Sequence, residues 1–189
     1  MRYHFRSSLT LLALFTITCG GLYPLALYGI GKLMPAQAKG SLISDETGAV
    51  VGSTLIAQNF TKPGYFWPRP SATNYDAASS GATNLSIAGK TYQAQITERL
   101  KRYPSDSQTP LELVTTSASG LDPHLTVNAA RQQAMRVTKA RGLKMEDINA
   151  LIGQAEITQP FGPPLVNVLR LNLSLDTFCQ QERIKCRQP

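Results

Sequence analysis

The chain has 189 residues and a mass of 20.6 kDa, room for one ordinary domain and one further element rather than for two domains. Hydrophobic residues make up 42% and charged residues 16%, against about 25% charged in a typical soluble chain, so a charged disordered tail is excluded, and a mean hydropathy of −0.14 excludes a polytopic membrane protein. Nineteen Lys and Arg against 12 Asp and Glu give a net charge of +7, but the basic residues are scattered from Arg2 to Arg187, so no nucleic-acid partner is expected.

The first predicted element is a membrane helix over residues 7–31, preceded by a short cytoplasmic N-terminus of residues 1–6. No charged side chain occurs between Arg6 and Lys32, and a helix of that length reaches about 38 Å, more than the hydrocarbon core of a bilayer. Ala36-Gln37-Ala38 has the form of a signal-peptidase site, yet the apolar stretch before it exceeds the usual 7–15 residues or so of a cleaved signal. Cys19 is expected as a buried thiol and not as a lipid attachment site, since Thr16 and Thr18 occupy positions that want an apolar and a small residue. Gly20, Gly21, Tyr23 and Pro24 are read as a contact with other membrane helices. Small residues allow close approach, and hydroxyls such as those of Thr10 and Thr16 can bond across helices. Pro24 removes a backbone donor and is expected to kink the helix. The competing reading is ordinary membrane-helix composition, in which Gly and Pro are common. Arg2 and Arg6 before the span face Lys32 and Lys39 after it. The denser N-terminal charge predicts a cytoplasmic N-terminus and an extracytoplasmic main domain.

Residues 32–40 read as a linker, and residues 41–176 as an α+β domain, followed by a basic tail over 177–189. Ser41 to Gln58 is predicted to be a hairpin turning at Asp45-Glu46-Thr47-Gly48. Thr61 to Asn84, dense in Pro, Gly, Ser, Asn and aromatics, has neither helical nor strand period. It is expected to be a long functional loop. Helices are predicted over Lys90 to Tyr103, stopped by Pro104, and from the N-cap Thr126 to Gly142. A shorter helix is expected over Met145 to Gln154. Val166 to Asp176 alternates Leu169, Leu171, Leu173 and Leu175 with polar residues, which predicts a closing strand.

Few residues invite chemistry. Ser119, Asp122 and His124 are the types of a hydrolytic triad, but five residues of chain do not readily wrap them into its geometry. No G-x-S-x-G elbow is present, and Asp122-Pro123 reads equally as a turn. One histidine and distant cysteines do not make a metal site. Gly89-Lys90-Thr91 is only the tail of a phosphate-binding loop and opens a surface helix. Gln132, Arg136 and Lys139 form a basic stripe that would suit anionic lipid, against the plainer reading of a solvated face. Cys179 and Cys186 either pair in an oxidising compartment or remain two free thiols on the tail.

Several blocks carry a resemblance. They are Gly64-Tyr65-Phe66-Trp67-Pro68-Arg69-Pro70-Ser71-Ala72-Thr73-Asn74-Tyr75, Ala78-Ser79-Ser80-Gly81 with Asn84-Leu85, and Ser117-Ala118-Ser119-Gly120-Leu121-Asp122-Pro123-His124. Arg136-Val137, Lys139-Ala140-Arg141-Gly142 and Val166 to Leu173 follow them. With Tyr23-Pro24, these make the chain, over roughly residues 7–176, closely resemble the C subunit of the Kdp potassium-transporting P-type ATPase of bacteria. The resemblance implies a single-pass subunit of an inner-membrane complex that imports K⁺ using ATP. Its partners would be a channel-like potassium-translocating subunit and a P-type ATPase subunit that hydrolyses the ATP, with membrane lipid around the helix. The family is described as a catalytic chaperone that raises nucleotide affinity. No phosphate-cradling loop is found here, so no cofactor is expected on this chain, which is not an enzyme by itself, and an indirect stabilising role fits the residues better. Tyr65, Phe66, Trp67 and Arg69 are read as a docking loop, because aromatics and Arg dominate interface hot spots. The alternative is that the aromatics fill the domain's own core. Ser79, Ser80, Gly81, Asn84, Ser119, Gly120, Asp122, His124, Arg141 and Gly142 are expected to be structural members of the family blocks. The competing function is a membrane-anchored extracytoplasmic serine hydrolase using Ser119 or Ser80.

Overall fold

The computed structural model describes residues 2–45, 47–103, 108–181 and 186. The chain divides into two compact units, one ending at Leu42 and one beginning at Ile43. In the first, α1 (Arg2–Ile17), a π-helical turn (Thr18–Leu22) and α2 (Tyr23–Leu33) run on as one helix, followed by the single turn α3 (Pro35–Ala38) within the expected linker. His4–Leu33 is long and apolar enough to cross a membrane by length and composition.

The expected proline kink takes a particular form. Pro24 has no N–H for the carbonyl of Gly20, four residues back, and its ring crowds that carbonyl. The helix widens immediately upstream, where the Tyr23 N–H reaches five residues back to the Thr18 carbonyl. One π turn absorbs the misfit. Thr10 and Thr16, expected to offer hydroxyls to neighbouring helices, also bond locally. Their hydroxyls donate within the helix, to the carbonyls of Arg6 (2.9 Å) and Leu12 (2.8 Å).

In the second unit, β1 (Leu42–Ser44) and β2 (Val50–Ser53) form the predicted hairpin. Asp45 closes its turn by accepting from the Thr47 and Ala49 amides at 2.9 and 3.0 Å, while Glu46 lies outside the described residues. A long stretch without helix or strand leads to α4 (Lys90–Leu100). This helix is three residues shorter than predicted, and Pro104, its expected stop, lies outside the described residues. A 3₁₀ turn (Leu111–Leu113) precedes β3 (His124–Thr126), α5 (Val127–Arg141), α6 (Met145–Gln154), β4 (Glu156–Ile157), β5 (Leu165–Asn167) and α7 (Val168–Gln181). β5 is the centre of an antiparallel sheet ordered β3-β5-β4, with Leu125 opposite Val166.

Both predicted signals of α5 hold. The Thr126 hydroxyl accepts from the Ala129 amide, and Gly142 ends the helix in the left-handed conformation at φ 72°. The closing strand does not hold: β5 ends at Asn167 and the chain turns directly into α7. The buried residues Val168, Leu171, Asn172 and Leu175 fall at i, i+3, i+4 and i+7, the period of one helix face. Asn167 caps the helix by accepting from the Arg170 amide at 3.1 Å. The alternating leucines imitated a strand because Asn172, a polar residue, sits on the buried stripe. Cys179, in the last turn of α7, is disulfide-bonded to Cys186, so the start of the expected basic tail over 177–189 is helical; residues 182–185 and 187–189 lie outside the described residues.

Phe66, Leu125, Ile148, Ile152, Val166, Leu171 and Leu175 are among the large, fully buried side chains of the core. Six come from helices or strands. Phe66 comes from the long loop.

Candidate functional site

A loop without regular structure must find partners for its backbone polar groups elsewhere. From Pro63 to Trp67 most are supplied by side chains of α5 and α7, while the Tyr65 N–H donates to the Lys62 carbonyl at 3.2 Å. The Asn172 amide takes both backbone groups of Phe66: its Oδ1 accepts from the Phe66 N–H at 2.8 Å and its Nδ2 donates to the Phe66 carbonyl at 3.0 Å. Gln133 does the same for the next residue, with Oε1 accepting from the Trp67 N–H at 2.8 Å and Nε2 donating to the Trp67 carbonyl at 3.0 Å. Arg141 Nε donates to the Gly64 carbonyl at 2.9 Å. Arg136 Nη1 donates to the carbonyls of Pro63 and Tyr65 at 2.6 and 2.9 Å.

The two arginines also stack on the loop's aromatic rings. The Arg136 guanidinium lies 3.6 Å from the Trp67 ring centroid and that of Arg141 lies 4.6 Å from the Tyr65 centroid, within cation–π range. Arg141 is ion-paired to Asp176 at 2.6 Å, and the Tyr65 hydroxyl donates to the other oxygen of the same carboxylate at 3.0 Å. Burial raises the Tyr65 phenol above its ordinary value, and the Asp176 hydrogen bond adds to the effect. Burial also pushes Arg136 down to about 10. The basic stripe of Gln132, Arg136 and Lys139 therefore does not exist as a solvated face: its central arginine is folded into the loop.

Further along, Arg69 Nη1 meets Asp122 at 3.2 Å, and Tyr75 donates its hydroxyl to the Arg69 carbonyl at 2.9 Å. The first contact ties the loop to the Ser117–His124 turn, and the second braces the loop internally. Burial alone would raise the Asp122 carboxyl; hydrogen bonds from His124 and the Arg69 charge outweigh it and hold the group below its ordinary value. Gly81 N–H and Ser80 Oγ both donate to the Ser119 carbonyl, at 2.9 and 3.1 Å. Gly120, at φ 71°, leaves no room for a side chain, because a Cβ would lie 2.7 Å from Thr73 Oγ1 and 2.9 Å from the Gly81 carbonyl. Asn84 is left-handed at φ 53°, and the Ser79 amide donates to the Asp76 carbonyl at 3.0 Å.

This arrangement does not support hydrolysis. Ser119 Oγ accepts from the Leu121 amide at 3.1 Å, and His124 Nδ1 is 3.7 Å from Asp122. Neither Ser119 nor Ser80 has its hydroxyl hydrogen-bonded to that imidazole. Of the predicted docking residues, Phe66 is 0% exposed. It is a core residue and presents nothing to a partner. Tyr65, Trp67 and Arg69 are half-buried. Over Gly20 and Gly21 there is open space, with nothing within 4 Å of a built Cβ.

The residues that organise the site, Gln133, Asn172 and Asp176, were not singled out from sequence. A signal existed for the first two: each is a polar residue on an otherwise apolar helical stripe, which in a folded domain implies a hydrogen-bonding duty. Beside the loop, a cleft of about 620 Å³ opens between Trp67, Pro68, Pro70 and Tyr75 on one side and Arg99, Arg102 and Tyr103 on the other.

Comparison with known proteins bears on this constellation. The family profile described as K⁺-transporting ATPase, c chain (KdpC) matches residues 5–177. The potassium-transporting ATPase KdpC subunit of Geobacter sulfurreducens is 44% identical over 183 residues, covering 92% of this chain and 97% of that protein. The KdpC subunit of Trichlorobacter lovleyi is 44% identical over 187 residues, with 92% and 97% covered. That of Myxococcus xanthus is 48% identical over 171 residues, with 85% and 81% covered.

Proposed function

The chain belongs to the KdpC family of potassium-transporting ATPase subunits, and from that premise we propose that it acts as an assembly subunit of the inner-membrane complex. It is a subunit and not the catalytic ATPase. Its partners are a channel-like potassium-translocating subunit and a P-type ATPase subunit, and it supports their turnover by stabilising the complex instead of touching nucleotide. The His4–Leu33 helix crosses the membrane once, with the N-terminus cytoplasmic and the domain outside. The disulfide between Cys179 and Cys186 supports that placement, since such bonds persist in oxidising compartments. Within the span, Gly20 and Gly21 beside Pro24 offer a bare patch where another helix can approach closely.

The observation that carries the docking role is the pinning of the loop. Gln133, Arg136, Arg141 and Asn172 fix its backbone from one side, which leaves Tyr65, Trp67 and Arg69 in one conformation before any partner arrives. Preorganisation of this kind removes ordering cost from association. The test is Trp67→Ala in the full chain. Co-purification with the two larger subunits from detergent is expected to fall at least tenfold, while the free chain's melting temperature drops by only a few degrees. Retained assembly with a large loss of stability would show that Trp67 serves the domain's own packing instead.

A further inference from the structure

The cleft beside the docking loop has a chemistry of its own. Among the described residues that line it none is acidic and two, Arg99 and Arg102, are arginines. Arg99 is committed on one side, with Nη1 donating to the Val114 carbonyl at 2.8 Å. Arg102 is exposed, and its charge reaches Glu98, whose carboxylate is ion-paired to Lys101 at 2.6 Å and not to Arg102. Flat and stiff groups line the rest: Trp67 and Tyr103 meet edge to face at 6.4 Å, and Pro68 and Pro70 are among the lining residues. The volume lies in the range of sites that enclose a small ligand or a short stretch of chain, about 300–1,000 Å³.

These features discriminate among anions. Arg forks onto phosphate as well as onto carboxylate, but the converging backbone N–H groups that complete many phosphate sites are fewer here, because Pro68 and Pro70 have none. Guanidinium groups beside aromatic and proline surfaces suit a carboxylate carried on extended polypeptide, the carboxylate forking onto Arg and the backbone lying along the rings. We infer that the cleft bounded by Trp67, Pro70, Arg102 and Tyr103 receives an extended, acidic peptide segment of a partner subunit. An Asp or Glu of that segment is paired to Arg102. The inference rests on the docking role proposed above and adds to it the chemistry of the partner.

The test uses the detergent-solubilised complex. Arg102→Lys places an amine in the cleft, and a water-soluble carbodiimide then joins amine to carboxylate only where the two are already in contact. A new crosslink is expected between this chain and a partner subunit, mapping to an Asp or Glu and absent from the unsubstituted complex treated alike. Arg102→Glu is expected to weaken assembly at least tenfold, and Lys at the mapped carboxylate should restore it. Three outcomes overturn the inference: an assembled Arg102→Lys complex with no new crosslink, a crosslink within the chain to Asp106, or one to anionic lipid. Failure of the unsubstituted chain to co-purify with any partner would instead sink the docking role itself, so the two failures are distinguishable.

Discussion

Gln133 and Trp67 exchange two hydrogen bonds, at 2.8 and 3.0 Å, so that a single side-chain amide on α5 does for the loop what a neighbouring strand would do. Gln133→Leu keeps approximate shape and strands a backbone N–H and a carbonyl. An unsatisfied buried group costs about 1–3 kcal/mol, so a loss of about 2–6 kcal/mol is expected for the pair. Urea denaturation of the full chain in mild detergent measures it, and a change under 1 kcal/mol would mean that water replaces the amide at little cost.

How much of this was legible beforehand depends on which residues carry the signal. Thr126 and Gly142 announce the ends of α5 because a cap is a local device: one side chain and one left-handed residue suffice. The uncharged run after Arg6 announces the apolar helix for the same reason. The blocks from Gly64 to Tyr75 and from Ser117 to His124 stood out, but their mutual arrangement did not. The contacts between them, such as Arg69 with Asp122 and Gly120 against Thr73, join residues about fifty positions apart, and no spacing rule reaches that far. α7 was misread because Asn172 counts as polar in a pattern while lying 1% exposed in the core. Its burial makes sense only once the Phe66 backbone is known to be its partner.

Arg136 should be the residue that holds Trp67 still. Its guanidinium stacks at 3.6 Å on the indole and donates to the carbonyls of Pro63 and Tyr65. The chain has one tryptophan, so its fluorescence reports this site alone. Arg136→Ala is expected to red-shift the emission and increase quenching by iodide. Arg136→Lys should restore little of either, since an ammonium cannot fork to two carbonyls while lying flat on a ring.

Two glycines separate backbone strain from collision. Gly142 and Gly120 are both left-handed, at φ 72° and 71°, a conformation that costs an ordinary residue roughly 1–2 kcal/mol. Nothing lies within 4 Å of a Cβ at Gly142, whereas one at Gly120 would meet the Gly81 carbonyl at 2.9 Å. Gly142→Ala should therefore cost only that strain. Gly120→Ala should cost at least about 1 kcal/mol more, by the usual penalty for overpacking, and should push the loop around Thr73 and Gly81 off the Ser117–His124 turn. Equal midpoints for the two variants in a thermal melt would contradict this account.

Asp122 predicts part of the acid limb of stability. Its carboxyl is held below its ordinary value of 3.8, burial being outweighed by the His124 hydrogen bonds and Arg69. A carboxyl lowered on folding contributes fully above its unfolded value, and the contribution is lost as pH falls through the lower folded value. Asp122→Asn should cost about 1 kcal/mol at neutral pH, the scale of a partly exposed ion pair. The difference from the unsubstituted chain should begin to shrink as pH falls below the ordinary carboxylate range and vanish only below the lowered folded value. A variant parallel to the parent at every pH would remove Asp122 from this role.

The disulfide makes the placement of the domain measurable. Cys179 and Cys186 pack against the core from the far end of α7, so the bond closes a short loop onto structure already formed. Closing a loop of this length is worth about 2 kcal/mol on the chain-entropy account. Reductant should lower the free energy of unfolding in urea by that amount, and Cys179→Ala with Cys186→Ala should show the same loss with no response to reductant. In a Cys19→Ser background, a charged, membrane-impermeant maleimide applied to intact cells is expected to label the chain only after reduction. Two sulfurs joined outside the membrane require both conditions, reduction and outward exposure. Labelling only after the cells are lysed would put the domain on the cytoplasmic side.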